Sequence, residues 1–300
     1  MQKLTRYQAL VDDYTAFIEA SAKPLPRVVW ANPLKRSVQE IEADIMQLCP
    51  QAKRLGWTSN GWRLPSDSQP GRWLLHLIGE VYVQEEASIL AADLVGAQPG
   101  ERVLDMCAAP GGKTVRMAIG MKDQGQLLAN EKKHGRIGGL RWNLNRLGIT
   151  CVTVNHDDGL RLKRPLKPFD RILVDAPCTC EGTSRKAQAR SQLITEKERD
   201  TVAQVQVALL RKALDMVKPG GFVVYSTCTY APEENEGVLD RISTEQAIID
   251  PIHVPPPLKT EAGTTQWGSH RYRDDVCNAI RLWPHHNDTG GFFIAKLRRI

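Results

Sequence analysis

From about residue 100 onward, short apolar runs alternate with helical patterns, and few folds accept that order. A strand, a helix and another strand in repetition make a parallel sheet covered on both faces, so the chain reads as α/β. Candidate strands are 102–107, 126–131, 151–156, 171–175 and 221–228. Between them, residues 133–147 read as a helix closed by Gly148, and Val202, Val205, Leu209, Ala213 and Met216 fall at helical spacing before Lys218-Pro219-Gly220-Gly221 stops the turn. That apolar stripe is core. The end reads antiparallel, with runs at 279–283 and 291–297 around the turn-rich stretch His286 to Gly290.

Residues 1–75 read as a small α/β appendage and 76–300 as the larger domain. The appendage holds a helix around 6–20, a strand at 27–32, a helix from Ser37 to Leu48 and extended pieces near 57–64. Ser37 followed by Glu40 is a capping box, which fixes the start of that second helix. Trp57, Trp62 and Trp73 interleave with Lys53, Arg54, Arg63 and Arg72, a pattern that suits either stacked bases or packing against the larger domain.

Net charge is +6, and Lys132, Lys133, Arg136, Arg141 and Arg146 run without an acid, which agrees with a polyanionic partner and equally with solvated helix surface. No run approaches ~20 apolar residues, and the start MQKLTRYQALVDDY carries acids where a signal peptide needs an apolar core. A cytoplasmic protein without a membrane partner is expected. Seven cysteines, an odd number, argue against a disulfide framework. Cys178 and Cys180 stand closer than zinc knuckles prefer, so no metal is expected either.

Asp105-Met106-Cys107-Ala108-Ala109-Pro110-Gly111-Gly112-Lys113-Thr114 follows a strand and opens a helix. Backbone N–H groups at a helix start, approached through glycines, seat a polar ligand at the carboxyl end of a sheet. The stretch has neither GxGxxG nor P-loop spacing, which disfavours hydride transfer and nucleotide hydrolysis. Glu131 ends the next strand, where a carboxylate accepts hydrogen bonds from ribose hydroxyls, and Asp158, with Asp157 as its rival, follows the third strand at the place of an adenine amine. The order points to an adenosyl cofactor; the alternative for each acid is a turn or cap.

Asp175-Ala176-Pro177-Cys178 closes the fourth strand and Ser226-Thr227-Cys228-Thr229-Tyr230 the fifth. A thiolate that adds to carbon 6 of a cytosine makes carbon 5 electron-rich enough to take a methyl group from a sulfonium. A second thiol assists release, and an acid holds the pyrimidine amine and ring nitrogen. Pro232 suits the first turn of a helix through Gly237, whose start favours thiolate at Cys228, an effect that Glu233, Glu234 and Glu236 partly offset.

The stretches DMCAAPGGKT, LVDAPCTCEGTSRK, YSTCTYAPEENE and GGFFIAKL resemble the Sun-type (NOP/Sun) RNA cytosine carbon-5 methyltransferases over roughly residues 25–300. The resemblance implies a Rossmann-like methyltransferase fold with a mostly parallel seven-stranded sheet, an RNA-recognition-like N-terminal domain, S-adenosyl-L-methionine as cofactor, and rRNA or tRNA as partner. It also implies Cys228 as nucleophile, Cys178 as the cysteine of product release, and Asp175 and Lys113 as the rest of the catalytic group. Cys107, Ala108, Ala109, Pro110, Gly111, Gly112, Lys113, Glu131, Arg136, Asp158 and Asp175 are then the cofactor contacts. Thr179-Cys180 departs from the common Ser-Gly and adds a third thiol.

Three rivals remain at this point: a DNA-type mechanism in which Cys178, directly after a proline, attacks; a catalytically idle RNA-binding scaffold; and a small-molecule or protein methyltransferase. The RNA target is not legible. A monomer is the default expectation, and the chain leaves no room for an added C-terminal recognition domain.

Overall fold

The computed structural model describes residues 2–185 and 194–300; Lys186, which ends the LVDAPCTCEGTSRK stretch, lies outside the described residues. The chain divides into two compact units, one made of Pro26–Leu162 with Pro255–Pro257, the other of Met1–Leu25, Lys163–Val254 and Leu258–Ile300.

In the first unit, β1 (Arg27–Ala31), β2 (Lys53–Arg54), β3 (Gly61–Leu64) and β4 (Val81–Val83) form an antiparallel sheet in the order β2-β3-β1-β4. The helix Val38–Leu48 covers it, and Ile41 and Ile45 are buried with Val29, Trp62 and Leu64. Its start is the expected capping box: Ser37 accepts from the Glu40 N–H while the Glu40 carboxylate accepts from the Ser37 N–H. Trp62 has no exposed surface, so at that position packing, not base stacking, is what the aromatic serves. Trp57 is half-buried and its indole N–H donates to Glu86 at 2.8 Å.

The same unit carries β5 (Arg102–Asp105), β6 (Gln126–Asn130) and β7 (Val152–Asn155), all parallel, with Asp105 opposite Ala129 and Asn130 opposite Asn155. Each strand ends one or two residues earlier than the apolar pattern suggests. Cys107, Glu131 and His156 have left the ladder and belong to loops at its carboxyl end. The helix His134–Leu147 closes at Gly148, whose φ of 73° is the left-handed cap the sequence announced. Buried Arg116 ties the small sheet to this part, pairing with Asp93 at 2.6 Å and donating to Asn60 at 2.9 Å.

In the second unit, β8 (Phe169–Asp175) and β9 (Val217–Thr227) run parallel with Asp175 opposite Ser226. The remaining strands are β10 (Ala247–Asp250), β11 (Glu261–Ala262), β12 (Gln266–Trp267), β13 (His270–Arg271), β14 (Ile280–Leu282) and β15 (Phe292–Arg299). Strand β15 is antiparallel to β9, β10 and β14, which makes this half of the fold mixed. The expected turn at Lys218-Pro219-Gly220-Gly221 falls inside the span of β9, where it bulges out unpaired between Val217, opposite Phe169, and Phe222, opposite Arg171. The long helix here spans Glu196–Met216 and opens on a second capping box, Thr195 with Glu198.

The N-terminal helix starts at Tyr14, not near residue 6, because the Asp13 carboxylate caps it through the Ala16 N–H; Gln2–Tyr7 is a 3-10 helix. Leu4, Tyr7, Val11 and Phe17 pack against Tyr230 and Trp283. Among the described residues no helix is long and apolar enough to cross a membrane.

Candidate active site

Because β8 and β9 are parallel and in register at Asp175 and Ser226, the segments that leave them emerge at the same end. Cys178 and Cys228 meet there, with their Sγ atoms 3.4 Å apart, and Cys180 Sγ lies 3.8 Å from Cys178 Sγ. Cys178 and Cys228 are half-buried and Cys180 is exposed. The Ser226 hydroxyl donates to Asp175 Oδ1 at 2.9 Å, which fixes the carboxylate beside the thiols.

The two segments are locked through their backbones. The Gly182 N–H donates to the Cys228 carbonyl at 2.9 Å, and the Gly291 N–H donates to the Gly182 carbonyl at 2.8 Å. A methyl group on Gly182 would stand 2.3 Å from the Gly291 carbonyl oxygen and 2.9 Å from that of Cys228, so only glycine lets these three strands of backbone approach. Behind them, buried Glu234 accepts from the Thr179 N–H at 2.9 Å and from the Gln206 amide at 3.0 Å, and it also bonds the Thr179 hydroxyl. Burial pushes the Glu234 carboxyl up while these donors pull it down, leaving it above its ordinary value. Gln206 also donates to the Pro177 carbonyl at 2.9 Å, so Glu234 and Gln206 together hold the stretch that carries Cys178. Sequence reasoning missed both. Only the acid-rich Glu233-Glu234-Asn235-Glu236 run hinted at Glu234, and nothing in a helix pattern singles out Gln206.

One expectation is corrected here. Residues 232–234 form a 3-10 turn and Glu236–Asp240 a helix of five residues, with Asn235 breaking the two apart, so no aligned stack of peptide dipoles favours the thiolate. At Cys228 the hydrogen bond with Cys178 lowers the pKa, but the bond to Cys180, burial and the Asp175 carboxylate outweigh it, and the thiol is held above its ordinary range. Hydrogen bonds with Cys180 and Cys228, then burial, push Cys178 up as well. Attack by either thiol therefore requires a proton acceptor.

The glycine loop lies in the other unit. Gly111, at φ 108°, turns the chain into the helix Gly112–Gly120, and a side chain there would stand 2.8 Å from Leu140. Lys113 is the second residue of that helix and is half-buried. Buried Asp105 accepts from the Thr114 hydroxyl at 2.7 Å and from the Cys107 N–H at 3.4 Å, pinning both ends of the loop. Glu131 is buried directly after β6; it accepts from the Lys133 N–H at 2.7 Å and the Ala109 N–H at 3.3 Å, and Arg136 stands 3.4 Å away while also donating to the Ala109 carbonyl. A carboxylate has about four lone-pair sites, so Glu131 retains capacity for hydroxyl donors.

Asp158 caps the 3-10 helix Gly159–Arg161 through the Leu160 N–H at 3.1 Å and pairs with Lys132 at 2.8 Å, which together hold its carboxyl below the usual range. Asp157 turns inward to the Asp158 N–H at 2.8 Å. Thus Cys107–Lys113, Glu131, Arg136 and Asp158 gather around the carboxyl ends of β5, β6 and β7. The set fits an adenosyl nucleoside: a glycine turn at a helix start, a buried carboxylate for a ribose and a third acid one strand further.

Comparison with known proteins bears on both clusters. Residues 92–298 match 16S rRNA methyltransferase RsmB/F, and residues 2–86 match the N-terminal domain of 16S rRNA methyltransferase RsmF. The chain is 34% identical to a tRNA (cytosine(49)-C(5))-methyltransferase of Pyrococcus abyssi, over 99% of this chain and 96% of that protein. It is 33% identical to ribosomal RNA small subunit methyltransferase F of Erwinia tasmaniensis over 96% of this chain, and it spans 60% of that relative's length. A crystal structure of a methyltransferase homolog protein from Pyrococcus horikoshii superposes with a TM-score of 0.83 at 33% identity, covering 100% of this chain and 99% of that one.

Proposed function

Because the chain belongs to the 16S rRNA methyltransferase RsmB/F family, we propose that it is an RNA (cytosine-5-)-methyltransferase that attacks its substrate with Cys228. S-adenosyl-L-methionine supplies an electrophilic methyl group on a sulfonium when bound, and Cys107–Lys113, Glu131, Arg136 and Asp158 would be the residues to hold it. The observation that carries the reading is the pair of thiols 3.4 Å apart at the ends of two adjacent parallel strands, beside a carboxylate fixed by Ser226.

In this reading the Cys228 thiolate forms a bond to carbon 6 of the cytosine, and the ring electrons move to carbon 5, which takes the methyl group. Asp175 orients the ring through its amine and ring nitrogen, and Lys113 completes the group. A base then takes the proton on carbon 5, the freed electron pair re-forms the carbon 5–carbon 6 double bond, and the sulfur–carbon bond breaks to return the Cys228 thiolate, a release that Cys178 assists from 3.4 Å away. The RNA is rRNA or tRNA, and the exposed Lys133 and Arg141 supply phosphate contacts.

Cys228→Ala is expected to abolish both turnover and covalent capture by RNA carrying 5-azacytidine. Cys178→Ala is expected to permit attack and slow release, so a protein–RNA adduct stable to denaturing gels accumulates. An adduct that requires Cys178 and survives loss of Cys228 would reverse the roles and favour the DNA-type mechanism. Bisulfite sequencing of RNA from cells with and without the gene names the target cytosine.

A further inference from the structure

The third thiol has no place in that reaction, yet it is held against the other two. Cys180 adopts φ 60° and ψ 26°, the left-handed region that a residue with a side chain enters at a cost of about 1 kcal/mol or more. Glycine would fit that turn without strain. The conformation directs Sγ back to within 3.8 Å of Cys178 Sγ, and all three sulfur atoms of Cys178, Cys180 and Cys228 lie within 4.8 Å of one another.

Three sulfurs at that spacing match three corners of a tetrahedron. With metal–sulfur bonds of about 2.3 Å, tetrahedral thiolates stand roughly 3.8 Å apart, against the 3.4 and 3.8 Å found here. Thiolates select soft cations. The exposed Cys180 gives an entry path. The short spacing from Cys178 to Cys180 argued against zinc in the sequence; the third donor arrives from the end of β9, which linear spacing does not reveal.

We propose that Cys178, Cys180 and Cys228 form a trithiolate site for a thiophilic divalent cation of the zinc and cadmium class, and that its occupation switches methylation off. Binding releases the thiol protons to solvent and engages the lone pairs with which Cys228 attacks carbon 6. The cation site stands on the sulfur geometry alone, whereas the inhibition rests on the reading of Cys228 as nucleophile.

The experiment is a cadmium titration of the reduced full chain, followed by sulfur-to-cadmium charge-transfer absorption, alongside methylation assays with and without zinc. The wild type is expected to bind one equivalent. Cys180→Gly, which also relieves the strained turn, is expected to keep metal-free methylation and to lose cadmium affinity by more than the roughly tenfold to hundredfold that removal of an outer-shell partner costs. Its methylation should resist zinc by a similar factor, while Cys277→Ser, at an exposed thiol elsewhere, should titrate as the wild type does. A Cys180→Gly protein that binds cadmium as tightly as the wild type overturns the site. A wild type that binds cadmium at these thiols yet methylates equally well with zinc bound overturns the switch and, separately, the assignment of Cys228.

Discussion

At the residue scale, the placement of the thiols depends on side chains outside the sulfur cluster itself. Glu234 is the clearest case, since one buried carboxylate takes three donors from Thr179 and Gln206 and so fixes the turn between Pro177 and Cys180. Glu234→Gln keeps the size but presents an amide N–H₂ to groups that donate. A buried donor left without an acceptor costs about 1–3 kcal/mol, so the variant should lose stability by that order in denaturant melts. Its kcat should fall more than its KM for RNA, because the thiol turn is displaced while the basic surface is not. That Cys228, Cys178 and Asp175 come together was legible in the sequence because Asp175 ends a recognisable strand and each cysteine follows shortly after one. Glu234 and Gln206 were not, since their roles exist only once the chain folds back on itself.

At the scale of elements, strand order carried most of the reading and strand ends carried the error. The five strands of the alternating region and the antiparallel pair near the end all formed, and Lys218-Pro219-Gly220-Gly221 lies within β9 as an unpaired bulge between the paired Val217 and Phe222, with Gly220 at φ 71°, so the local preference of proline and glycine for a turn is kept inside the strand. The backbone lock at Gly182 is an element-scale device. Gly182→Ala forces a Cβ to 2.3 Å from a carbonyl, and overpacking of this kind typically costs about 1–3 kcal/mol, so a lower melting temperature and slower adduct formation are expected together.

The N-terminal segment is clasped by a second device, Asp12 bonded to His285 at 2.7 Å and His286 at 3.0 Å. Burial pushes the Asp12 carboxyl up, but these bonds and the Asp13 N–H outweigh it and hold it below the ordinary 3.8. A depressed carboxylate stabilises the fold above that value and loses its contribution as the pH falls below it. The gap in melting temperature between wild type and Asp12→Asn should therefore be open at neutral pH and close in acid; as Asp12 is half exposed, the gap is small.

At the scale of the molecule, the net charge of +6 and the exposed cations Lys133, Arg136 and Arg141 set the terms on which a polyanion is met. The KM for RNA should rise with salt, and replacing Lys133 and Arg141 by glutamate should flatten the log–log slope by about 0.7 for each phosphate contact to single-stranded RNA that is lost. Trp142, 63% exposed on that same helix beside Arg141, is an aromatic the sequence reading passed over. If bases stack on it, Trp142→Ala weakens RNA binding by about 1–3 kcal/mol and leaves adduct formation at saturating RNA unchanged; an unchanged affinity would show that bases do not rest there. The aromatic clasp around Tyr230, two residues past Cys228, also has a consequence for biogenesis. Tyr230 stacks on Trp283 at 5.2 Å, and Phe17 meets both rings edge-on. Since a ribosome delivers Phe17 long before Trp283, the earliest segment must wait through nearly all of translation for its permanent neighbours. The packing of the segment that follows Cys228 is thus among the last to be completed as the chain is made.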